Sequence, residues 1–301
     1  YEDYRQSSYF PVLDGIRGVA VTIVISVHMK DNFPENGRLW AWLNGWDGVT
    51  MFFVLSGFLI TTLALREEAK TGALSISAFY VRRSFRIFPS YYLMLGVYCL
   101  LVFTPGSPWT ESKTGPMLKA LPYYLVYLQE FAPKAPFYQT WSLGIEEKFY
   151  LLWPVLAFGF PPVRRTMRVA IASLCLVPLL FHFLGIRGFP TMESYGQILT
   201  GCLVAIALHE KAVYEWFRHR LSFPSLLAAV LVFAVVHFTA HYHRLSALAY
   251  PFAFALAMIS LLLSTTALNK LVGNGLLVLL GKISYGMYLI HLITLNVAEL
   301  V

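Results

Sequence analysis

The stretch Leu13–His28, LDGIRGVAVTIVISVH, carries three ionisable side chains through an otherwise apolar run of helix-forming length. Charge held inside a bilayer is costly, and where it persists it marks function. Arg17 and His28 are eleven positions apart, which puts them within about 20° of one helix face and roughly 16 Å apart along the axis. Between them on that face stand only Val21, Val24 and Ile25. One stripe therefore bears a fixed cation towards one end and a titratable imidazole towards the other. Asp14, three residues before Arg17, is placed to pair with it. Such a stripe suits a site reached from both membrane surfaces.

The rest of the chain fits that setting. Of 301 residues, 57% are hydrophobic and 13% charged, with a mean hydropathy of +0.61, whereas a soluble domain is about 25% charged. The chain reads as all-α, a polytopic transmembrane helical bundle forming a single membrane domain over 1–301. Nine spans are expected, at 13–29, 49–65, 87–103, 142–160, 168–186, 195–210, 221–239, 246–267 and 283–301. A helix that runs to Val301 without a stop signal leaves room for a tenth span in the full protein. Residues 1–12 lack a basic n-region and a small-residue cleavage site, so the first span is expected to be retained.

The net charge of +7 has no soluble domain to carry a nucleic-acid surface, and its placement reads as topology. With the N-terminus cytoplasmic, fifteen Lys and Arg fall inside: Arg5, Arg17, Arg66, Lys70, Arg82, Arg83, Arg86, Arg164, Arg165, Arg168, Lys211, Arg218, Arg220, Lys270 and Lys282. Seven fall outside, at Lys30, Arg38, Lys113, Lys119, Lys134, Arg187 and Arg244, with Lys148 within a span. The positive-inside rule selects this orientation. Counting 118–131, LKALPYYLVYLQEF, as a crossing would reverse the later bias, so it reads as an interfacial or re-entrant helix. It lies in the long external stretch 104–141, with Pro105, Pro108, Pro116, Pro133, Pro136 and several aromatics, which either anchors at the headgroups or holds a sugar-like acceptor. Cys99, Cys175 and Cys202 sit in apolar segments at unrelated spacings and read as buried free thiols, with no metal site indicated.

Two further constellations carry chemistry. RRSFR puts Arg83 and Arg86 on one face at a cytoplasmic helix end beside Arg82; these either snorkel as anchors or clamp phosphate. QTWSLGIEEKFYLLWP places Ser142, Glu146, Tyr150 and Trp153 on one face of the fourth span, beginning on the external side. A capping box from Ser142 would need an acid at 145, which is Ile. Glu146 is thus a candidate to orient or deprotonate His28, or to bind an acceptor hydroxyl, while Glu147 and Lys148 form a local pair. His237, His241 and His243 read as solvated loop residues. His291, in SYGMYLIHLI, is either functional or a packed polar hinge. Walker, HExxH and GxSxG motifs are absent from the sequence, which argues against ATPase, zincin and serine-hydrolase chemistry.

On these residues the chain resembles the acyltransferase-3 family of integral membrane acyltransferases. The matches are LDGIRG with Arg17 and His28 in an R-x10-H arrangement, FFVLSGFLIT at 52–61, RRSFRIFPSYY at 82–92, WSLGIEEKFYLLWP at 141–154 and ISYGMYLIH at 283–291. The resemblance implies a ten-helix domain that moves an acyl group, often acetyl, from cytoplasmic acyl-CoA to a hydroxyl of a carbohydrate or glycosylated acceptor at or across a bacterial inner membrane. It implies Arg17, Arg83 and Arg86 near the CoA phosphates, His28 as base or transient acyl carrier, and Glu146 in the family's Glu position. Asp14, Trp141, Ser142 and Tyr150 are the candidate substrate-binding residues. One departure is Thr50, where the family usually has an acid two residues before the paired Phe; Asp47 is nearby but out of register. The expectation is an acyl-CoA-dependent O-acyltransferase without a metal. The competing class is a transporter using an Arg/His/Glu relay, which corresponding broken helices in two halves would favour; a scaffold leaves the Arg17–His28 stripe unexplained.

Overall fold

The computed structural model describes residues 1–7, 9–32, 45–107, 109–160, 164–186, 190–240, 243–264 and 266–298, with 30–32, 45–46, 164, 190, 240 and 297–298 as backbone alone. Arg38, Pro108, Arg187, His241 and Val301 lie outside the described residues, as do the side chains of Lys30 and Arg164. The helices, in chain order, are α1 (Glu2–Gln6), α2 (Pro11–Asn32), α3 (Gly45–Thr71), α4 (Ile76–Phe103), α5 (Thr110–Leu125), α6 (Trp141–Phe158), α7 (Arg164–Ser173), α8 (Val177–Phe183), α9 (Pro190–His209), α10 (Lys211–Arg220), α11 (Phe223–Ala240), α12 (Arg244–Leu263), α13 (Ala267–Val272) and α14 (Gly275–Ala298). No strand occurs among the described residues. The chain forms two compact units: Tyr1–Ala73 with Val163–Val301, and Leu74–Pro162.

In the first unit α2 lies along both α14 and α3, α3 along α9, and α11 along α12. Glycine sets how close these helices come. A Cβ at Gly18 would meet the Leu277 carbonyl oxygen at 2.3 Å, and one at Gly281 would meet the Asp14 carbonyl oxygen at 1.8 Å. Backbone atoms cannot swing aside, so the α2–α14 seam requires these positions bare. Small residues at helix seams are the usual device where lipid removes the hydrophobic drive to associate. Leu13, Ile16, Ala20, Val54, Leu55, Phe58, Phe254 and Met258 fill the core. The N-terminal segment is tied to this unit: the Arg66 guanidinium lies 5.0 Å from the Tyr4 ring centroid and 4.8 Å from that of Phe10, and donates to the Tyr4 and Ser7 carbonyls.

The second unit is built on aromatic side chains. Ser75 caps α4, its hydroxyl accepting from the Ala78 N–H at 3.4 Å. Tyr91, Tyr98, Tyr124 and Phe137 are all buried. Phe137 packs against the rings of Tyr98 at 4.7 Å and Tyr91 at 5.3 Å. Gln129 donates to the Tyr91 hydroxyl at 2.6 Å, Gln139 donates to that of Tyr98 at 2.8 Å, and Tyr91 donates to the Tyr124 carbonyl at 2.8 Å. Tyr127 (φ 56°) and Phe137 (φ 75°) take the left-handed conformation, which bulky residues adopt only when packing dictates it. Much of the aromatic content of 104–141 is therefore the unit's own interior, though Tyr123, Phe131 and Tyr138 remain exposed.

Against the nine spans read from the sequence, six described helical segments are long and apolar enough to cross a membrane, or seven if the bent pair α10 and α11 is one span. α6 is interrupted by Glu146, Glu147 and Lys148, and α9 by Glu193, Gln197 and Thr200. α5, at 16 residues, rises about 24 Å, short of the roughly 30 Å hydrocarbon core. The expected fifth span is α7 and α8 joined through a 3₁₀ turn at Leu174–Leu176, and the seventh meets α10 at 97°. α4 shows Phe85, Leu93 and Leu100 on its exposed side, as a lipid-facing helix does.

Candidate active site

The first unit brings two histidines together. His28 on α2 and His291 on α14 lie with ring centroids 4.8 Å apart, tilted 65° edge to face. The Nδ1 of His28 lies 2.8 Å from the Val24 carbonyl oxygen, and that of His291 lies 2.7 Å from the Tyr288 carbonyl oxygen. A carbonyl can only accept, so each Nδ1 carries a hydrogen, and in the neutral ring each Nε2 then carries the lone pair. Backbone anchoring also fixes each ring on its own helix. His28 is half-buried; His291 is 3% exposed, and its Nε2 has no hydrogen-bond partner among the described residues. An imidazole held in this tautomer is equipped to accept a proton or attack a carbonyl carbon.

The other end of the same seam is cationic. Asp14 and Arg17 are half-buried on α2, separated from His28 by the buried Val21 and Val24. Gly281 backs directly onto Asp14, which brings Lys282 of α14 to this end; its ammonium lies 5.2 Å from the Tyr9 ring centroid. Lys282 thereby joins Arg17 as a candidate anion contact that the sequence reading treated only as a topology charge.

In the second unit Arg83, Tyr150 and Glu146 form one cluster. The Arg83 guanidinium lies 5.1 Å from the Tyr150 ring centroid and 5.9 Å from that of Phe79. The Tyr150 hydroxyl donates to Glu146 Oε2 at 2.9 Å. The sequence reading put Arg83 at a cytoplasmic mouth and Glu146 on the external side; α4 and α6 run antiparallel in a register, marked by Tyr80 donating to the Leu151 carbonyl at 2.6 Å, that sets them at one level. Arg83 and Arg86 differ in environment: Arg83 is half-buried on the tyrosine, while Arg86 and Arg82 are exposed. Ser142, Tyr150 and Trp153 are buried, as their shared face demands, and Trp141 is half-buried at the start of α6. Lys148 pairs with Glu130 at 2.7 Å and donates to the Tyr127 and Gly144 carbonyls. The local pair expected with Glu147 gives way to this longer-range one because the turn at Tyr127 carries Glu130 back to α6.

A family model described as an acyltransferase domain matches residues 10–301. The chain belongs to the acyltransferase-3 family. The curated relatives carry related names. The chain is 29% identical, over 97% of its length and 49% of the relative's, to YrhL of Bacillus subtilis, provisionally named a peptidoglycan O-acetyltransferase. It is 28% identical, over 71% of its length and 35% of the relative's, to the peptidoglycan O-acetyltransferase OatA of Listeria monocytogenes. The chain thus spans about half or less of these relatives' length. No solved structure matches.

Within this acyltransferase-3 chain, two placements differ from those read in the sequence. His237 lies on α11 rather than in a solvated loop, its Nδ1 2.8 Å from Asp47 Oδ2, with side-chain exposures of 11% and 7%. The approach is not aligned as a hydrogen bond. Asp47 is thus engaged on α3 one turn before Thr50, and both are buried. Cys175 and Cys202 are buried thiols, but Cys99 is half-buried. His291 is the residue whose significance the sequence left open: its motif ISYGMYLIH was visible, its partner was not.

Proposed function

We propose that this chain transfers an acyl group, acetyl by preference, from acyl-CoA to a hydroxyl of a glycan acceptor, with peptidoglycan-type sugars the first class to test. The carrying observation is the ring of His28, its Nδ1–H committed to the Val24 carbonyl so that Nε2 is left with its lone pair, on the α2 stripe whose other end holds Arg17. Arg17, Arg83 and Arg86 are the candidate guanidinium contacts for the CoA phosphates. Glu146, held by Tyr150, serves the acceptor side together with Trp141 and Ser142. The reading places the protein in a bacterial inner membrane with its N-terminus cytoplasmic, as the distribution of Lys and Arg favours. Membership of an acyltransferase family leaves the transporter reading without support.

The test uses the full chain in nanodiscs with acetyl-CoA and muramyl dipeptide. Acetylated product from wild type, and none from His28→Ala, is the expected result. CoA alone should raise the thermal midpoint, since a ligand at about a hundred times its Kd stabilises by about 2.7 kcal/mol. Wild-type turnover by His28→Ala would overturn the assignment.

A further inference from the structure

We propose that the acyl carrier and the acceptor's base are two different imidazoles: His28 takes the acyl group on Nε2, and His291 Nε2 removes the acceptor proton. This rests on the acyl-transfer reading above and assigns its chemistry between residues. The two rings are neighbours at 4.8 Å, and each is pinned through Nδ1 to its own helix. A histidine acylated at Nε2 has used its lone pair and cannot also serve as base, and the Nδ1 of His28 is occupied with Val24. The second proton acceptor must come from elsewhere. His291 supplies it, its Nε2 buried without a hydrogen-bond partner among the described residues. A lone pair that no described group occupies is open to a proton from the acceptor.

The steps balance. His28 Nε2 attacks the thioester carbon; the C–N bond forms, the C–S bond breaks, and CoA leaves as thiolate. The acceptor oxygen then attacks the acyl carbon while its proton passes to His291 Nε2, and His28 leaves with its lone pair restored. The positive charge moves from the acylated ring to its neighbour, so the two are never cationic together. Returning the proton to the thiolate leaves ester, CoA and two neutral imidazoles.

Rapid-quench labelling of the full chain in nanodiscs with radiolabelled acetyl-CoA, followed by muramyl dipeptide, separates the two roles. Wild type should take label and release it to acceptor; His28→Ala should take none. His291→Ala and His291→Gln should still take label, which also shows that they are folded, but release it to acceptor at least 100-fold more slowly. Added imidazole should restore part of the release in His291→Ala. Release at the wild-type rate from either variant would overturn the assignment, as would loss of labelling in both while CoA still binds, which would make His291 a positioning residue. Product from wild type without any labelled intermediate would overturn the carrier step and leave the acyl-transfer reading standing. Wild type that neither takes label nor forms product would bring down that reading itself.

Discussion

Substituting Gly18→Ala should disable the enzyme from a position two or three helical turns from the histidines. The new Cβ would stand 2.3 Å from the Leu277 carbonyl oxygen and 3.2 Å from its carbon, where ordinary contact begins at 3.4 Å. The obstacle is backbone, so α14 must retreat from α2 by about 1 Å, at an overpacking cost of about 1–3 kcal/mol. His28 and His291 ride on these two helices, and a displacement of about 1 Å at reacting groups costs on the order of 100-fold in rate. Gly286, on the same α14, has nothing within 4 Å of its would-be Cβ, and Gly286→Ala should be neutral or gain up to about 1 kcal/mol of helix propensity. The assay is acetyl transfer beside a thermal melt in nanodiscs. Gly18→Ala with turnover within twofold of wild type and an unshifted midpoint would refute the claim that this seam sets the spacing of the imidazoles.

Replacing Arg83 with Gln should raise the apparent KM for acetyl-CoA roughly tenfold with kcat little changed, the pattern of a lost ground-state contact, as initial-rate kinetics over acetyl-CoA concentration would show. Lys148→Met strands Glu130, whose side chain is 6% exposed, and should cost about 3–5 kcal/mol; adding Glu130→Leu should recover much of it in the same melt. Asp47→Ala and His237→Ala should likewise each destabilise, and a double-mutant cycle should return a coupling of about 0.5–3 kcal/mol, as residues in contact do.

What could be read from the chain, and what could not, divides by the range of the interaction. The Arg17–His28 stripe and the Ser142–Glu146–Tyr150–Trp153 face depend only on helical period, and both faces are present. The glycines of LDGIRG were visible, but their reason is a partner backbone at Val272–Gly281, which no local pattern announces. Arg83 and Glu146 were put at different depths because their levels depend on how α4 and α6 align, and buried tyrosines and glutamines decide that. Lys148 was matched to its neighbour Glu147 because its partner arrives through a left-handed turn at a tyrosine, a residue without turn character. Six or seven described segments are long and apolar enough to cross a membrane, against nine read from the sequence, because length and apolarity test each segment alone, and α6 and α9 carry polar groups that only a folded bundle accommodates.

The histidine pair joins the second helix of the chain to the last described one. A closed loop of about 260 residues costs only about 0.6 kcal/mol more than one half as long, so thermodynamics tolerates the arrangement. Biosynthesis feels it more. A nascent chain halted before α14 holds Arg17 and His28 without Lys282 and without the second ring. On the two-imidazole proposal, partly made protein can take an acyl group on His28 but cannot pass it to an acceptor, and the second step waits on the arrival of α14.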